Sequence, residues 1–402
     1  MQLVEQHVIK SNSPMWQAID NAARASKNLY NAANYIVRQT FINDGLWVRL
    51  YGSTGLEKLL NKHEAYKALP AKVAQQVLIL LDKNWTSFFA AIKEYAVHPE
   101  NFLGRPALPK YKHKTEGRNI LVYTEQAVST RQLKKGLIVP SGLPIAIQTK
   151  QKAIKQVRIV PRKDFYVVEV VYIAKEQQAD VDRNLIASID LGLDNLAALT
   201  SNKPGFVPLL VNGRPLKAMN QFFNKRKAEL QSKLPGKRET SPLIQWMSTN
   251  RTRRIDHYMH TASRRIVNHL VRQRIGTLVV GRNPEWKQEI NIGKRNNQAF
   301  VQIPHARFLQ MLKYKCELVG IKLLEQEEAY TSKTSFLDLE PIHKHETYLG
   351  RRIKRGMFRS ANGSKINADV NGSYNILRKA FPAAFAQGIE GVVVRPMPLG
   401  MN

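Results

Sequence analysis

The stretch of residues 186–199 constrains the fold of this chain more than any other part of its sequence. A run of small and β-branched apolar residues ends at Asp190, a glycine turn follows, and a second apolar run begins at Leu196. This pattern predicts two strands of a hairpin, with Asp190 at the exit of the first strand, where a sheet opens to solvent. Because Asp and Gly also favour turns, the stretch alone leaves open that Asp190 only forms a turn.

A second acidic position lies far downstream, in residues 366–377. There Asp369 stands at the head of a predicted short helix, and polar and apolar residues follow it at helical spacing. A buried strand end is rigid, so it can hold Asp190 close to a second acid, and the two can share a metal ion. The second stretch therefore favours a metal-binding Asp190 over a turn-forming one.

The charge of the chain indicates its partner. Lys and Arg number 62 against 31 Asp and Glu, which gives the 402 residues a formal net charge of +31. An excess of this size attracts a polyanion, and nucleic acid is the first candidate. A membrane is not an expected partner, because the sequence has no run of about twenty apolar residues and no basic amphipathic stretch.

The N-terminal residues and the cysteine content indicate the compartment. The first residues lack the basic and then apolar pattern of a secretion signal, so we expect the protein to remain in the cytoplasm. Cys316 is the single cysteine of the sequence. This count excludes an internal disulfide and a cysteine-rich zinc site within one chain.

The N-terminal part is expected to be a β domain with a helical insert. Residues 1–10 form a predicted strand, and residues 11–100 carry two long apolar stripes at helical spacing. Residues 101–182 contain short alternating runs bounded by Pro, Gly or Lys. These runs predict a small antiparallel barrel or sandwich that the N-terminal strand joins.

A basic segment opens this second β region. Residues 105–114 alternate prolines and bases with one aromatic residue. Such a loop suits a phosphate backbone, with Tyr111 available to stack on a base. The alternative is a solvated run of charge. The candidate contacts are Lys110, Tyr111, Lys112 and Lys114.

The C-terminal part follows the order of a ribonuclease-H-like α/β sheet. Three predicted strands in succession are followed by helices that alternate with two more strands, and the helix of Asp369 comes last. This topology brings distant acids together at one sheet edge and is a known route to two-metal phosphodiester hydrolysis. A predicted helix over residues 251–274 packs one apolar face, and its other face can meet phosphates. The candidate contacts on that face are Arg251, Arg254, Arg264 and Arg265.

A set of short motifs, taken in order, resembles the TnpB family. The motifs lie at residues 189–192, 254–257, 303–304, 314–316, 330–334 and 367–371. TnpB proteins are RNA-guided endonucleases of bacterial insertion sequences and are similar to the ancestors of type V CRISPR effectors. The resemblance covers nearly the whole chain. It implies a guide RNA transcribed from the element and a double-stranded target DNA that is paired beside a short motif read by the protein.

The resemblance also implies a domain layout and a bacterial, cytoplasmic setting. A wedge-type β-barrel domain would comprise residues 1–10 and 101–182, interrupted by a helical recognition lobe over residues 11–100. A RuvC-like nuclease domain would occupy residues 183–385, with a degenerate zinc-ribbon-like insert at 331–366. Separately from the resemblance, the glycines and prolines after Phe385 predict that residues 386–402 form a partly disordered C-terminal tail.

The acids of the family carry over unevenly. Asp190 matches the first RuvC carboxylate and Asp369 the third, but the strand that should end in the second acid, a Glu, reads Leu278 to Asn283 without one. We favour Glu328 as the substitute, because it lies just past the next parallel strand and adjacent strands lie about 5 Å apart. Glu289 is the second choice. A nuclease-inactive protein is the remaining alternative.

The insert departs from the family as well. Many relatives carry a zinc ribbon there, but no cysteine occurs between Thr331 and Asp369, and His343 and His345 alone make a poor zinc site. We expect no zinc. In its place, residues 348–359 predict a basic hairpin that could touch DNA. The candidate contacts are Arg351, Arg352, Lys354 and Arg355.

Three functions remain open from the sequence. The favoured one is an RNA-guided endonuclease in which Asp190, Glu328 and Asp369 bind two Mg²⁺ ions for phosphodiester hydrolysis. An RNA-guided DNA-binding repressor would share the basic surfaces without cutting. A plain DNA transposase would cut at element ends without RNA.

Overall fold

The computed structural model describes residues 1–52, 55–236, 238–282, 302–386 and 388–400. Two compact units divide the chain, Met1–Ala174 and Lys175–Asn402. The border falls before residue 183, the expected start of the nuclease domain, because Gln177 and Ala179 donate their backbone N–H groups to Leu318 and Val319 of the second unit. The domain functions assigned above stay predictions.

The first unit combines an antiparallel sheet with long helices. Its elements in order are β1 (Gln2–Lys10), α1 (Trp16–Asp44), α2 (Leu56–Leu60), α3 (Glu64–Lys67), α4 (Ala71–Val97), β2 (Leu121–Thr124), α5 (Thr130–Leu133), β3 (Leu137–Ile138), β4 (Ile147–Gln148), β5 (Gln156–Pro161) and β6 (Phe165–Ile173). The strand order of the main sheet is β1-β6-β5-β2, and β3 and β4 pair separately. As expected, the N-terminal strand joins the later strands.

The expected barrel is not closed among the described strands. The main sheet ends at β1 on one edge and β2 on the other. Its apolar face is covered by α1 and α4 rather than by further strands. Trp16 lies 4.9 Å from the ring of Tyr166, and Trp85 of α4 donates to Asn34 of α1 within the same core. Helices therefore bury the surface that a closed barrel would bury on itself.

The second unit is a mixed α/β fold. Its elements in order are β7 (Asp182–Leu191), β8 (Asn195–Ser201), β9 (Leu209–Asn212), α6 (Arg214–Ser232), α7 (Pro242–Arg272), β10 (Ile275–Arg282), α8 (His305–Glu317), β11 (Lys322–Glu327), β12 (Arg351–Lys354), β13 (Met357–Arg359), β14 (Lys365–Asn367), α9 (Ala368–Ala380) and β15 (Met397–Pro398). The sheet order is β11-β10-β7-β8-β9-β15, with β10 parallel to β7 and β11, and β8 antiparallel to β7 and β9.

Helices cover both faces of this sheet. Alternate residues of β7 point to opposite sides. Ala187 and Ile189 pack with α7 and α8, whereas Ile186 packs with α9. Ser188 and Asp190 follow the phase of Ile186 and therefore face α9. The register of β7 thus aims Asp190 at the helix that carries Asp369.

Two expectations about element ends need correction. Helix α7 begins at Pro242 rather than at Arg251, because Ser241 caps it by accepting from the Ile244 N–H and proline suits the first turn. The tail is also more ordered than expected. Met397 and Pro398 pair in parallel with β9 as strand β15, and Leu399 packs on the core of the unit.

A buried hydroxyl cluster joins β7, β8 and α9. The Ser188 hydroxyl lies 2.8 Å from that of Thr200 and donates to the Ser373 carbonyl at 2.7 Å. Ser373 in turn donates to the Ser188 carbonyl at 3.0 Å. All three side chains are buried. These bonds fix the helix of Asp369 against the strand of Asp190.

Ser373→Val should destabilise the protein by about 1–3 kcal/mol, because it leaves buried hydroxyls of Ser188 and Thr200 without a partner. Urea unfolding measures the loss. The matched control is Ser232→Ala on the exposed end of α6, which should stay within about 0.5 kcal/mol of wild type. Equal stability of both variants would contradict the role given to the cluster.

Candidate functional site

Asp190 and Asp369 come from β7 and the first turn of α9. Asp190 pairs with Ala198 in the β7–β8 ladder. Asp369 follows the N-cap residue Asn367, whose side chain accepts from the N–H groups of Asp369 at 2.9 Å and Val370 at 3.2 Å. Asn favours this capping position, so the start of α9 is fixed locally. The third carboxylate therefore stands at a defined helix N-terminus, where negative charge is favoured.

A glycine allows α9 to approach Asp190 closely. A Cβ atom built on Gly372 would lie 2.6 Å from Asp190 Oδ2. Real Cβ atoms do not tolerate such a distance, so any other residue would displace the carboxylate or the helix. Gly372 lies one turn after Asp369 on the same helix. The close approach therefore sets the separation of the two acids.

Asn195 is a site residue that the sequence analysis missed. It begins β8, and its Nδ2 donates to Asp369 Oδ2 at 2.7 Å. The signal was present in the sequence, since a polar residue starts the second apolar run just beyond Asp190. Without coordinates, nothing distinguished it from a turn residue. Asn195 orients the carboxylate of Asp369.

Glu328 enters the same region from the end of β11. Its backbone N–H donates to Arg282 at the end of β10, 3.3 Å away. Its Oε2 atom is buried and has no hydrogen-bond partner among the residues that the structure describes. A Cβ atom built on Gly281 would lie 2.8 Å from that same oxygen. Gly281 belongs to the strand that lacks the expected acid, so the Glu328 carboxylate fills the space above the glycine.

The three acids interact electrostatically. Burial raises the pKa of Asp190 well above its usual range, and the negative charges of Glu328 and Asp369 add to the rise, whereas Arg352 opposes it. Burial also raises the pKa of Glu328 to about 7, with Lys379 acting in the opposite direction. Without a cation to balance them, the Asp190 and Glu328 carboxyls keep their protons at pH values where ordinary surface acids have lost theirs.

The acids have the right chemistry for a hard divalent cation. Carboxylate oxygens are the ligands that Mg²⁺ prefers, and Glu328 Oε2, which accepts no hydrogen bond from any described residue, is one such oxygen. Among the described residues, however, no group of three or more His, Cys, Asp or Glu side chains is arranged to hold a metal ion. The donors fit the ion by type, and they would have to draw closer to enclose it. Glu289 lies outside the described residues.

The basic hairpin forms as expected and lies beside the acids. Strands β12 and β13 pair antiparallel, and Gly356 adopts a positive φ of 75° in the turn between them. The Gly356 carbonyl accepts from the N–H of Ala368, next to Asp369, at 3.1 Å. The four candidate side chains of the hairpin, Arg351, Arg352, Lys354 and Arg355, are exposed.

An ion-pair cluster anchors the hairpin. Arg355 pairs with Asp194, which also accepts from Lys217 of α6 at 2.6 Å. These partners lower the pKa of Asp194 despite the opposing effect of partial burial. Asp194 lies in the turn that follows Asp190, and sequence reasoning did not single it out. It joins the hairpin to the strand of the first acid.

The insert is held by a buried carboxylate. Glu340 accepts from the backbone N–H groups of Ser335 at 2.7 Å and Leu349 at 2.8 Å. Phe336 stacks on Tyr374 of α9 with ring centres 4.3 Å apart. These contacts give the insert a path to order through protein atoms alone. The prediction that it needs no zinc is untested.

The remaining basic candidates differ in exposure. Arg254 and Arg264 of α7 are exposed. So are the four candidate residues of the basic segment at 105–114, which are Lys110, Tyr111, Lys112 and Lys114. Arg265 donates to the Gly400 carbonyl of the tail. Arg251 needs correction, because its guanidinium is half-buried 4.5 Å from the ring centre of Phe223. It packs between α6 and α7 instead of standing free on the cationic face.

No helix among the described residues combines the length and the apolar character that a membrane crossing requires.

Two family models match the chain. The model described as "Probable transposase" (OrfB_IS605) matches residues 165–287, and the model described as "Cas12f1-like, TNB domain" matches residues 305–376. The first match contains Asp190, and the second contains both Glu328 and Asp369.

Relatives and solved structures agree with these models. The chain is 23% identical over 399 residues to a TnpB-like protein, ORF457, of the Acidianus two-tailed virus, and the match covers 89% of this chain and 82% of the relative. It superposes with a TM-score of 0.54 on the structure titled "Cryo-EM structure of the Cas12f1-sgRNA-target DNA complex", with 14% identity, 90% of this chain and 83% of that chain covered.

The fold is therefore a mixed α/β architecture similar to that of a Cas12 effector. Within that class, the family models and the curated relative show that the chain is similar to TnpB-type proteins. Because the relative is encoded by the Acidianus two-tailed virus, a bacterial setting stays a prediction.

The raised pKa of Glu328 predicts an unusual pH dependence of stability without metal. A carboxyl whose pKa is about 7 in the folded protein and near 4.5 when unfolded binds more protons folded than unfolded. Stability should therefore be highest below pH 4.5 for this group and fall as the pH rises to about 7. Glu328→Gln should flatten this slope in metal-free urea unfolding. An unchanged slope would contradict the burial described for Glu328.

Proposed function

We propose that the chain is an RNA-guided DNA endonuclease of a transposable element that hydrolyses phosphodiester bonds with divalent cations. The observation that carries the proposal is the electrostatic coupling of Asp190 to Glu328 and Asp369, which come from three elements far apart in sequence. The space above Gly281, filled by the Glu328 carboxylate, supports Glu328 as the relocated second acid.

The sheet supports a RuvC-like assignment of the second unit. Five of its strands follow the order β11-β10-β7-β8-β9, in which β8 alone runs antiparallel to its neighbours and the helices alternate with the last two strands. This is the ribonuclease-H-like succession expected from the sequence. It places Asp190 on the central strand, with the ends of β10 and β11 beside it. The two family matches lie on the same strands and on α9.

The residues of the site have separable roles in the proposed reaction. Two Mg²⁺ ions bound by the acids would activate a water molecule and stabilise the leaving oxygen. Asp190 and Asp369 would hold the ions from two rigid elements, β7 and α9. Asn195 keeps Asp369 oriented through its 2.7 Å hydrogen bond. Arg352, which is exposed and opposes the rise in the pKa of Asp190, would contact a DNA phosphate.

Guide RNA and target DNA are the proposed partners. The net charge of +31 calls for a polyanion, and the similar Cas12f1 structure is titled as a complex with sgRNA and target DNA. Base pairing with the guide would supply sequence specificity, and the protein would grip the backbone. Exposed Arg254 and Arg264 offer phosphate contacts on α7.

Asp190→Ala and Glu328→Ala should each reduce cleavage by about 100-fold or more, because the cations lose a ligand. The assay uses plasmid DNA and protein that is co-expressed with its element RNA. Glu327→Ala is the matched control, since Glu327 is exposed and pairs only loosely with Lys379 at 3.7 Å. Binding without cutting by the wild-type protein would instead identify a guided DNA-binding repressor.

Returning the acid to its expected strand tests the relocation directly. Gly281→Glu in the Glu328→Ala background should recover part of the lost cleavage, because both side chains use the same space. A Cβ atom at residue 281 would also lie 2.6 Å from Ile376 Cδ1, which is the end of a flexible side chain and can shift. Full activity of Glu328→Ala alone, with activity lost in Glu289→Ala, would show that Glu289 is the second acid.

Ribonuclease treatment distinguishes the guided nuclease from a plain transposase. Digesting the RNA of the purified complex should abolish cleavage of target plasmid, because no guide remains to open the duplex. Readdition of intact RNA should restore it. Cleavage that survives digestion and falls at element ends would favour the transposase.

A further inference from the structure

A polar stripe on α1 holds a basic loop of the first unit by its backbone. We call residues 109–115 the pinned loop. Its carbonyls accept hydrogen bonds from side chains spaced three or four residues apart, which lie on one face of a helix. The donors, with their acceptors, are Arg38 and Asn34 to Pro109, Asn31 to Lys112, Lys27 to Lys114, and Arg24 to Thr115.

The pinned loop lies along the helix. From Arg24 to Arg38 the helix rises about 21 Å. The loop follows the helix in the opposite direction, because its bonded carbonyls run from Pro109 beside Arg38 to Thr115 beside Arg24. It ends in a turn over residues 114–116, where the Gly117 N–H donates to the His113 carbonyl at 3.1 Å. Asn31 fixes its middle twice, since the Lys112 N–H also donates to Asn31 Oδ1 at 2.9 Å.

The side chains of the pinned loop are left for contacts outside. Lys110, Lys112 and Lys114 occupy alternate positions and are exposed, although the Lys112 ammonium also lies 5.2 Å from the ring centre of Tyr30. Tyr111 is 44% exposed, and Arg38 lies 5.2 Å from its ring centre, so one face can accept a base. The sequence has no acid from residue 101 to residue 115.

A groove lies beside the loop. Its lining includes Arg24, Lys27, Asn28, Asn31, His63 and Lys114, with Glu64 as its one acidic side chain. Burial lowers the pKa of Lys27, and the charge of Arg24 acts in the same direction. Both cations already bind loop carbonyls. The groove provides room for a nucleic-acid chain that follows the exposed lysines.

We propose that the pinned loop is a preorganised strip that binds a phosphodiester backbone through Lys110, Lys112 and Lys114, with α1 as its rigid support. An unpinned loop would lose conformational freedom on binding, and the donors on α1 remove that cost in advance. The proposal rests on the proposed function only in taking nucleic acid as the partner. It requires no cleavage.

Asn31→Ala tests the support without changing any charge. It removes both hydrogen bonds to the Lys112 backbone, so affinity should fall about threefold to tenfold because the loop must be ordered on binding. Asn43→Ala is the matched control, since Asn43 is exposed on the same helix and lies outside both the polar stripe and the groove lining. Affinity is measured by fluorescence anisotropy on the full chain, with a labelled single-stranded RNA of about 30 nucleotides and with DNA of the same sequence.

A triple variant identifies the lysines as the contact. Replacing Lys110, Lys112 and Lys114 by Ala should reduce the slope of log affinity against log salt by about 2 for a single strand. In that background Asn31→Ala should have no further effect, because the support acts only through the lysines. Comparison of the RNA and DNA arms shows which strand the loop prefers.

Each result decides the proposal. It is overturned if Asn31→Ala binds as wild type does, if Asn43→Ala weakens binding equally, or if the Asn31 effect persists in the triple variant. If Asn31→Ala weakened binding only by unfolding the protein, its effect would persist in the triple variant. If wild type binds neither RNA nor DNA, the nucleic-acid partner of the proposed function fails as well. If wild type binds and Asn31→Ala has no effect, only the proposal for the pinned loop fails.

Discussion

The contact of β7 with α9 is the constraint on which the site depends. Strand alternation turns Ile186, Ser188 and Asp190 to the same face, and α9 closes on that face through the Ser188–Ser373 hydroxyl bonds and the close approach of Gly372. The buried hydroxyl groups form hydrogen bonds with each other, and an apolar contact in the same place would provide none. The separation of the first and third acids is therefore set by buried packing and not by the acids themselves.

The negative charges of Asp190, Glu328 and Asp369 repel one another, and few positive charges of the protein offset this repulsion. Arg352 and Lys379 act on one acid each, and the Glu328 Oε2 atom has no hydrogen-bond partner in the described part of the chain. Such an arrangement destabilises the fold unless a cation or a proton neutralises it. An acid set that is unfavourable to bury and ready to bind metal is typical of functional sites rather than structural ones. The hairpin, anchored to Asp194 by Arg355, adds positive charge at the border of this cluster.

The sequence was sufficient for what depends on local pattern. Runs of small and β-branched apolar residues predicted β7 and β8, helical spacing placed Asp369 at the head of a helix, and the basic residues around Gly356 predicted the hairpin. Long-range packing was not visible. The space above Gly281 that Glu328 occupies, the bond from Asn195 to Asp369, and the burial of Arg251 against Phe223 all depend on which elements become neighbours. The tail was misjudged because two residues of β15 carry too weak a pattern to reveal that they extend the sheet.

The central claim is that Asp190, Glu328 and Asp369 form one divalent-cation site. Mn²⁺ binding to the RNA-bound protein, followed by electron paramagnetic resonance, tests it most directly because the signal of the free ion disappears on binding. The account predicts saturable binding by wild type and a loss of affinity of at least about tenfold in each of Asp190→Asn, Glu328→Gln and Asp369→Asn. Unchanged binding in Glu328→Gln, with loss in the other two, would contradict it.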